Sequence, residues 1–349
     1  MHFLPFFAAA ATTVQTTTST SASTPSSSAG ARKLQFWGIN ESGAEFGSSA
    51  WPGVYGKDYI WYNLSSYDVF LARGMNYFRV NFLNERMAQN GLTGPIDPEY
   101  LGNLTEQVNY ITGKGAYAIV TPHNYGRYKG QIVTDAASYG TYWQNLATNF
   151  ASNSKVIFDV DNEFHDMPGS LVASLNQAAI NGIRAAGATS QYITPEGNAY
   201  TGAWTWTTAT DSTGQSNADT MGALTDPENK LIYQMHQYLD SDGSGTSASC
   251  VSSTIMADRL VDATQWLRAN GKKGMIGEFA GGADPTCLAA LSGGVEYLVA
   301  NSDVWMGASL WAAGPWWKGS STPFDFEPGD DAGVMNAVLP VVEKIVMAG

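Results

Sequence analysis

Residues 156–166 of the chain read VIFDVDNEFHD, and residues 273–279 read KGMIGEF. Each stretch is a short apolar run that ends near a glutamate, Glu163 in the first and Glu278 in the second. Short apolar runs of this kind are typical of buried strands in a parallel sheet. The two runs therefore predict two buried strands, each with a carboxyl group at its C-terminal end.

Six further runs of this type recur along the chain, separated by helix-like segments. In one such segment, 142–150, Trp143, Leu146 and Phe150 fall on one helical face. The eight predicted strands are 34–40, 76–82, 117–123, 156–162, 192–196, 231–238, 273–279 and 305–311. Apolar strands that alternate with helices predict an α/β protein of the (β/α)8 type, a TIM barrel. A doubly wound open sheet is the alternative, although no glycine-rich phosphate loop follows any of the strands.

The composition predicts one large domain with an uncharged partner. Of the 349 residues 44% are hydrophobic, which supplies a barrel core, and only 14% are charged, against about 25% in average globular proteins. The net charge of −13 disfavours nucleic acid as a partner, because phosphate binding relies on lysine and arginine. We expect residues 32–349 to form a single monomeric (β/α)8 catalytic domain.

Residues 1–31 differ in composition from the rest of the chain. The first eleven read MHFLPFFAAAA, an apolar run that is too short to span a membrane and lacks a basic start. Residues 12–30 form a Ser/Thr-rich tract of the kind found in O-glycosylated linkers. We interpret 1–31 as a leader remnant and a disordered linker of a secreted, extracellular protein with no membrane partner. A second interpretation is that a module ahead of the linker has been lost.

Extracellular chemistry is also indicated by the cysteines and by the glycosylation sequons. Cys250 and Cys287 are the two cysteines of the chain, and in a secreted protein they predict one disulfide; two free buried thiols are the alternative. Asn63 and Asn103 begin N-x-Ser/Thr sequons in predicted surface segments and are candidates for N-glycosylation. Asn40 also begins a sequon, but it lies near the predicted barrel mouth and we expect it to be unmodified.

Active sites of (β/α)8 barrels form at the C-terminal ends of the strands. Polar or aromatic side chains mark these ends here: Arg79, His123, Asn162, Glu163, Glu196, His236, Tyr238, Glu278 and Trp311. Any one of them alone is more often a surface, ion-pair or core residue. Their coincidence at the same end of different strands predicts a functional site.

The two glutamates at strands four and seven match the requirement of glycoside hydrolysis for two carboxyl groups that flank the scissile bond. We assign Glu163 as the general acid/base and Glu278 as the nucleophile. Arg79 and Tyr238 are expected to bond the carboxylate of Glu278 and to hold it ionised. Asn162 is expected to reach the sugar 2-hydroxyl, which bonds more strongly in the transition state.

The remaining polar residues complete this prediction. His123 and His236 are expected to supply polar contacts around the scissile sugar, and Trp311 a flat face below it. The four histidines form neither an H-E-x-x-H motif nor a Cys/His cluster, so we expect no metal and no other cofactor. A serine hydrolase is disfavoured because no G-x-S-x-G motif is present.

These motifs resemble glycoside hydrolase family 5, and within it the fungal endo-β-1,4-glucanase branch, from about Phe36 to the C-terminus. The segments that carry the resemblance are FWGINESGAEFG, FRVNF, TPHNYGRY, FDVDNEFHDM, TPEGNAYTGAWTW, IYQMHQYLDSDGSGTS, GEFAGG and LWAAGPWW. The resemblance implies a retaining double displacement on a β-1,4-glucan polysaccharide, with the residues assigned above in those roles. One departure is Phe164, where the family usually has Pro or Tyr.

Further tryptophans follow two of the strands. Trp204 and Trp206 follow the fifth strand, and Trp316 and Trp317 follow the eighth. We predict them as sugar platforms, with loop packing as the alternative for each. Two rival functions stay open: a related β-mannanase or xyloglucanase, which would share the same strand ends, and a non-catalytic carbohydrate-binding barrel.

Overall fold

A computed structural model describes residues 33–318, 323–329 and 333–347, so the predicted leader and linker in 1–31 lie outside the described residues. Eight parallel strands form one sheet in the order β7-β6-β3-β2-β1-β10-β9-β8. These strands are β1 (Phe36–Glu41), β2 (Tyr77–Phe82), β3 (Tyr117–Pro122), β6 (Val156–Asp159), β7 (Tyr192–Thr194), β8 (Tyr233–Tyr238), β9 (Gly274–Ala280) and β10 (Trp305–Ala313). Parallel bridges from Ile193 to Leu231 and from Glu196 to Gln234 join β7 to β8. The sheet is thus a nearly closed barrel, and the predicted TIM barrel is confirmed.

Helices surround the barrel and return the chain to the start of each next strand. They are α1 (Leu64–Ala72), α2 (Asn84–Met87), α3 (Pro98–Gly113), α4 (Ala136–Ala147), α5 (Gly169–Ala185), α6 (Asn217–Thr220), α7 (Ile255–Ala269), α8 (Pro285–Ala300) and α9 (Gly333–Met347). Two of them, α3 and α8, begin with an Asp-Pro pair that favours the start of a helix. The carboxylates of Asp97 and Asp284 accept backbone N–H bonds as the N-cap residues, and the proline that follows needs no N–H at this position. In the part of the chain that the structure describes, no helix has the length and apolarity needed to cross a membrane.

Two apolar layers hold this arrangement together. The larger layer lies between the strands and the helices, where Trp143 and Leu146 of α4 are fully buried, as their spacing predicts. The smaller layer fills the base of the barrel with Phe36, Tyr77, Ile119, Ile157, Ile232 and Met275. Because side chains alternate along a strand, residues two positions further along β2, β6 and β8 also point into the barrel. There the filling changes from apolar to polar, at Arg79, Asp159 and Gln234.

Three features differ from the prediction or complete it. The fourth strand ends at Asp159 and not at residue 162, so Asn162 and Glu163 lie on the loop that follows it. A short hairpin after β3, formed by β4 (Arg127–Tyr128) and β5 (Gln131–Ile132), was not predicted. The predicted disulfide is confirmed: Cys250, in the loop after β8, is bonded to Cys287 at the start of α8.

Candidate active site

Arg79 lies at the centre of the site and is completely buried. Its guanidinium carries five N–H donors, and each meets an acceptor. The acceptors are Oδ2 of Asp159 at 2.8 Å, Oδ1 of Asn40 at 2.9 Å, Oε1 of Glu278 at 2.6 Å, Oδ1 of Asn162 at 2.8 Å and Oε1 of Glu196 at 3.1 Å. The Arg79 guanidinium, on β2, therefore orients side chains from β1, β6 and β9 and from the segments that follow β6 and β7, and it fixes them relative to one another. Asn40 is itself fully buried.

Glu278 lies on β9 and accepts two strong hydrogen bonds. Oε1 takes the Arg79 bond, and Oε2 accepts the Tyr238 hydroxyl at 2.8 Å. Burial raises the pKa of Glu278, and the Arg79 guanidinium and the Tyr238 hydroxyl oppose that rise. Gly277, next to Glu278, lets β9 pack closely against the side chain of Gln234, since a Cβ at this position would lie 2.4 Å from the Gln234 side-chain carbon. The arrangement favours an ionised carboxylate with a fixed orientation.

Glu163 is held differently, on a backbone in the left-handed region with φ of +55°. Its N–H donates to Oε2 of Glu196 at 2.7 Å, which anchors this unfavourable conformation. Its Oε1 lies 2.7 Å from Nδ1 of His236, and no charged donor touches it among the described residues. Burial raises the pKa of Glu163 to about 7, with the Arg79 charge acting against the rise. Glu163 is therefore suited to carry a proton below about pH 7, whereas the bonds from Arg79 and Tyr238 favour the ionised form of Glu278.

The surroundings of the two histidines that the sequence places at the mouth favour their neutral forms. Burial lowers the pKa of His236 to about 4 and holds that of His123 well below its ordinary value. Nε2 of His123 is 3.0 Å from the Tyr125 hydroxyl and 3.2 Å from the Asn162 amide nitrogen. The His123 ring also packs beside Trp311, with 5.5 Å between the ring centroids. All seven predicted polar residues and Trp311 thus meet at one end of the barrel.

Sequence reasoning noted Glu196 at a strand end but gave it no role. Its carboxylate accepts from Arg79, from the Glu163 N–H and, through a short contact, from Gln234. Nε2 of His236 lies 3.6 Å from its Oε1. Glu196 therefore touches the supports of both catalytic candidates. In the sequence, the signal that would have identified Glu196 is its place at the end of the predicted fifth strand, between two other strand ends that carry candidate residues.

The predicted sugar platforms divide into three groups. Trp204 is 41% exposed, with Arg259 stacked on its ring at 4.1 Å, and it borders the cavity above Glu163. Trp316 is half-buried and stacks on Phe46. The predictions for Trp206 and Trp317 are wrong. Trp206 is fully buried against Tyr233 and Trp266, and Trp317, which is 7% exposed, packs its ring against the edge of Trp311.

The spacing of the two carboxyl groups defines what the site can do. One oxygen of Glu163 and one of Glu278 lie within 4.8 Å of each other, and Glu163 lines a cavity of about 610 Å³. Retaining glycoside hydrolases hold their carboxyl groups about 5–5.5 Å apart, whereas inverting enzymes need about 6.5–9.5 Å to admit a water. A barrel with a close pair of carboxyl groups in contrasting surroundings is typical of the retaining glycoside hydrolases.

Comparison with known proteins identifies the family within that class. Residues 39–314 match the family model described as "Cellulase (glycosyl hydrolase family 5)". The chain is 53% identical over 313 residues to a probable endo-β-1,4-glucanase B of Neosartorya fischeri, which covers 90% of this chain and 92% of the relative. It is 54% identical over 301 residues to endoglucanase gh5-1 of Neurospora crassa, covering 86% of this chain and 75% of the relative. The chain therefore belongs to glycosyl hydrolase family 5.

Solved structures agree with this assignment. The structure of XacCel5A in complex with cellopentaose has a TM-score of 0.85 at 38% identity, covering 90% of this chain and 99% of the other. Cel5A (EG2) of Hypocrea jecorina has a TM-score of 0.78 at 29% identity, with 88% and 98% covered. The similarity thus extends over the complete barrel.

Proposed function

We propose that this protein is an endo-acting, retaining glycoside hydrolase that cleaves internal β-1,4-glucosidic bonds of cellulose and related β-glucans. One observation carries the proposal: two carboxyl groups within 4.8 Å of each other have opposite surroundings. Arg79 and Tyr238 donate to Glu278, while Glu163 faces a neutral histidine and has a pKa of about 7. Glycosidases with this chemistry need just such a divided pair.

In the first step Glu163 gives its proton to the glycosidic oxygen as Glu278 attacks the anomeric carbon. The bond between that carbon and the leaving oxygen breaks, and an ester forms between the sugar and Glu278. His236 supports this step when its Nδ1–H donates to Oε1 of Glu163, because the proton to be transferred then resides on Oε2. The Asn162 amide nitrogen lies 3.2 Å from Nε2 of His123, and we propose that this amide also binds the sugar 2-hydroxyl.

In the second step Glu163, now a carboxylate, removes a proton from water. The water oxygen attacks the anomeric carbon, the ester bond to Glu278 breaks, and the sugar leaves with its original configuration. Both charge states of Glu163 are accessible near neutral pH because burial places its pKa at about 7. Each glutamate thus returns to its starting state after one turnover.

The substrate class rests on the relatives and on the exposed aromatic rings. The two fungal relatives are named as glucanases, and the XacCel5A structure holds cellopentaose. Trp204, after β7, borders the same cavity as Glu163, and Trp316, after β10, is a second partly exposed ring. We propose a β-1,4-glucan backbone ahead of mannan or xyloglucan, whose cleavage would use the same pair.

We also propose that the protein works outside the cell, as a monomer, and without a cofactor. A disulfide is typical of extracellular proteins. Asn63 is exposed and Asn103 is partly exposed, so both sequons are open to glycan. Asn63 caps α1 through Oδ1, which accepts from the Ser65 N–H at 3.2 Å, and this leaves its amide nitrogen for the sugar. The residues in 1–31 fit a leader and linker in composition.

The test separates the roles of the two glutamates. Glu278→Ala should abolish release of reducing sugar from soluble β-glucan, and azide should restore turnover with an azide product of inverted configuration. Glu163→Ala should lose activity on glucan but keep cleavage of aryl glycosides whose leaving group needs no proton. Wild-type activity in Glu278→Ala would refute the proposal. Relative rates on carboxymethylcellulose, mannan and xyloglucan test the backbone, and faster mannan cleavage would reject the glucan assignment.

A further inference from the structure

We propose that Glu163, His236 and Glu278 also form a binding site for a divalent transition-metal ion of the zinc type, and that this ion blocks the cleft. One donor atom from each residue lies within 4.8 Å of the other two. The binding part of the proposal stands on these three side chains alone. The blocking part rests on the proposed function, because it requires the two glutamates to be the reacting groups.

Nδ1 of His236 is the centre of the three donors. It lies 2.7 Å from Oε1 of Glu163 and 3.5 Å from Oε2 of Glu278. Tetrahedral zinc with bonds of about 2.0–2.2 Å holds its donor atoms about 3.4 Å apart. The distance to Glu278 already matches, and the distance to Glu163 must open by about 0.7 Å. The oxygens of Glu163 and Glu278 lie within 4.8 Å of each other, so this pair must also approach the 3.4 Å spacing. The Glu163 side chain, which is 16% exposed and lies on a loop, is the one that has to move.

The other nitrogen of His236 provides a second, independent observation. The residue is 3% exposed, and its Nε2 has no hydrogen-bond partner among the residues that the structure describes. A carboxylate oxygen of Glu196 faces it at 3.6 Å. A metal-ligating histidine almost always donates its free ring N–H to such an oxygen. With the proton on Nε2, the lone pair of Nδ1 points between the two glutamates, where the ion would lie.

The donor set selects the cation. One imidazole nitrogen and two carboxylate oxygens suit Zn²⁺, Co²⁺, Ni²⁺ or Cu²⁺, whereas Ca²⁺ and Mg²⁺ require more oxygen ligands. The three donors line or adjoin a cavity of about 610 Å³, which leaves room for water in the fourth position. Arg79 lies on the far side of Glu278, at 2.6 Å, and makes the site weaker than a dedicated zinc centre.

An ion at this position would occupy the space in which the glycosidic oxygen and the anomeric carbon react. It would prevent proton transfer from Glu163 and attack by Glu278 at the same time. We therefore expect Zn²⁺ to inhibit hydrolysis in competition with the glucan, and a chelator to reverse the inhibition. Ca²⁺ and Mg²⁺ should not inhibit at the same concentrations.

Calorimetric titration of the tag-free protein with Zn²⁺ tests the site without any substrate. We expect one ion per chain, and an affinity that falls by about tenfold or more in Glu278→Gln and in Glu196→Gln. Asp166→Asn is the matched control, because His165 and Asp166 form a second, exposed pair 2.8 Å apart and next in sequence to the site. This control should bind Zn²⁺ as the wild type does, and thermal unfolding checks that every variant is folded at the temperature of the titration.

Three results would overturn the proposal: no Zn²⁺ binding at millimolar concentration, unchanged affinity in Glu278→Gln, or loss of binding in Asp166→Asn. Visible spectra of the Co²⁺ form supply a second measurement, since tetrahedral nitrogen–oxygen ligation gives a stronger absorption than hydrated Co²⁺. Zinc binding in a protein that hydrolyses no glucan would refute the proposed function and leave the metal site supported. Hydrolysis that Zn²⁺ does not inhibit, in a protein that binds it, would refute the blocking step.

Discussion

Glu196 offers the sharpest test of how the site is held together, through the substitution Glu196→Gln. The carboxylate accepts from three protein donors, the Glu163 N–H at 2.7 Å, the Arg79 guanidinium at 3.1 Å and the Gln234 amide. Glutamine has nearly the same shape but replaces one acceptor oxygen with an NH2 group. At least one of the three donors must then face another donor and lose its bond.

The magnitude follows from the complete burial of Glu196, Arg79 and Gln234. A buried polar group left without its partner costs about 1–3 kcal/mol. If the loss falls on the Glu163 N–H, the left-handed backbone of Glu163 is no longer anchored, and the proton donor moves. The same energy expressed as a barrier lowers kcat roughly 5- to 150-fold. If the loss falls on Arg79, the support of Glu278 weakens and kcat again decreases, because both glutamates act in the rate-limiting chemistry.

The assay compares Glu196→Gln with Glu45→Gln on soluble β-glucan. Glu45 is also buried at the mouth of the barrel, where it accepts from the Gly43 N–H at 2.6 Å and the Ser42 hydroxyl. Both variants should lose similar stability in urea, but Glu45→Gln should keep its kcat. Wild-type kcat in a folded Glu196→Gln variant, or an equal decrease in the control, would refute the positioning role of Glu196.

Three other predictions follow from burial and pKa. The first step requires Glu163 to be protonated and Glu278 to be ionised. The value of kcat/KM should therefore fall as pH rises through about 7, the pKa of Glu163, and should also fall as pH drops through the raised pKa of Glu278. Activity that increases towards pH 8 would contradict this prediction. Trp204→Ala should raise KM roughly 2- to 13-fold and leave stability unchanged, because the ring is exposed and we propose that it contacts the sugar. Trp206→Ala should instead cost about 3–5 kcal/mol of stability, because it leaves a cavity in the core. The reverse pattern would support Trp206 as a sugar platform. Burial raises the pKa of Glu41 well above 4.5, so the free energy of unfolding should fall as pH rises above 4.5. In urea titrations between about pH 5 and pH 8, Glu41→Gln should show a smaller fall in this free energy than the wild type. An equal dependence on pH in both proteins would contradict the prediction.

The barrel could be predicted because its strands are apolar on both faces and contrast with the segments between them. The predicted ends were less accurate for a physical reason. Asp161, Asn162 and Glu163 follow β6 without a Gly or Pro that would mark the end of the strand, yet Glu163 has a positive φ that no strand can supply. The β4–β5 hairpin has two residues in each strand, too few for a period-2 pattern to be visible.

The site could be predicted to a similar depth. Residue types at strand ends revealed the glutamate pair, Arg79 and Tyr238, because the fold brings these ends together. The exposure of each tryptophan could not be predicted from the sequence. Trp204 and Trp206 are only two residues apart, yet the first is exposed and the second is fully buried. The pKa of Glu163 also depends on burial and on the absence of a charged donor among its described neighbours, and neither is written in the local sequence.

Covalent trapping of the nucleophile tests the proposed mechanism most directly. A 2-deoxy-2-fluoro cellobioside with a good leaving group slows both steps, and it slows hydrolysis of the ester more than its formation. We predict that the intact mass rises by one fluorocellobiosyl group per chain and that peptide mapping places the label on Glu278. Turnover without any adduct, or a label on Glu163 or Glu196, would contradict a double displacement through Glu278.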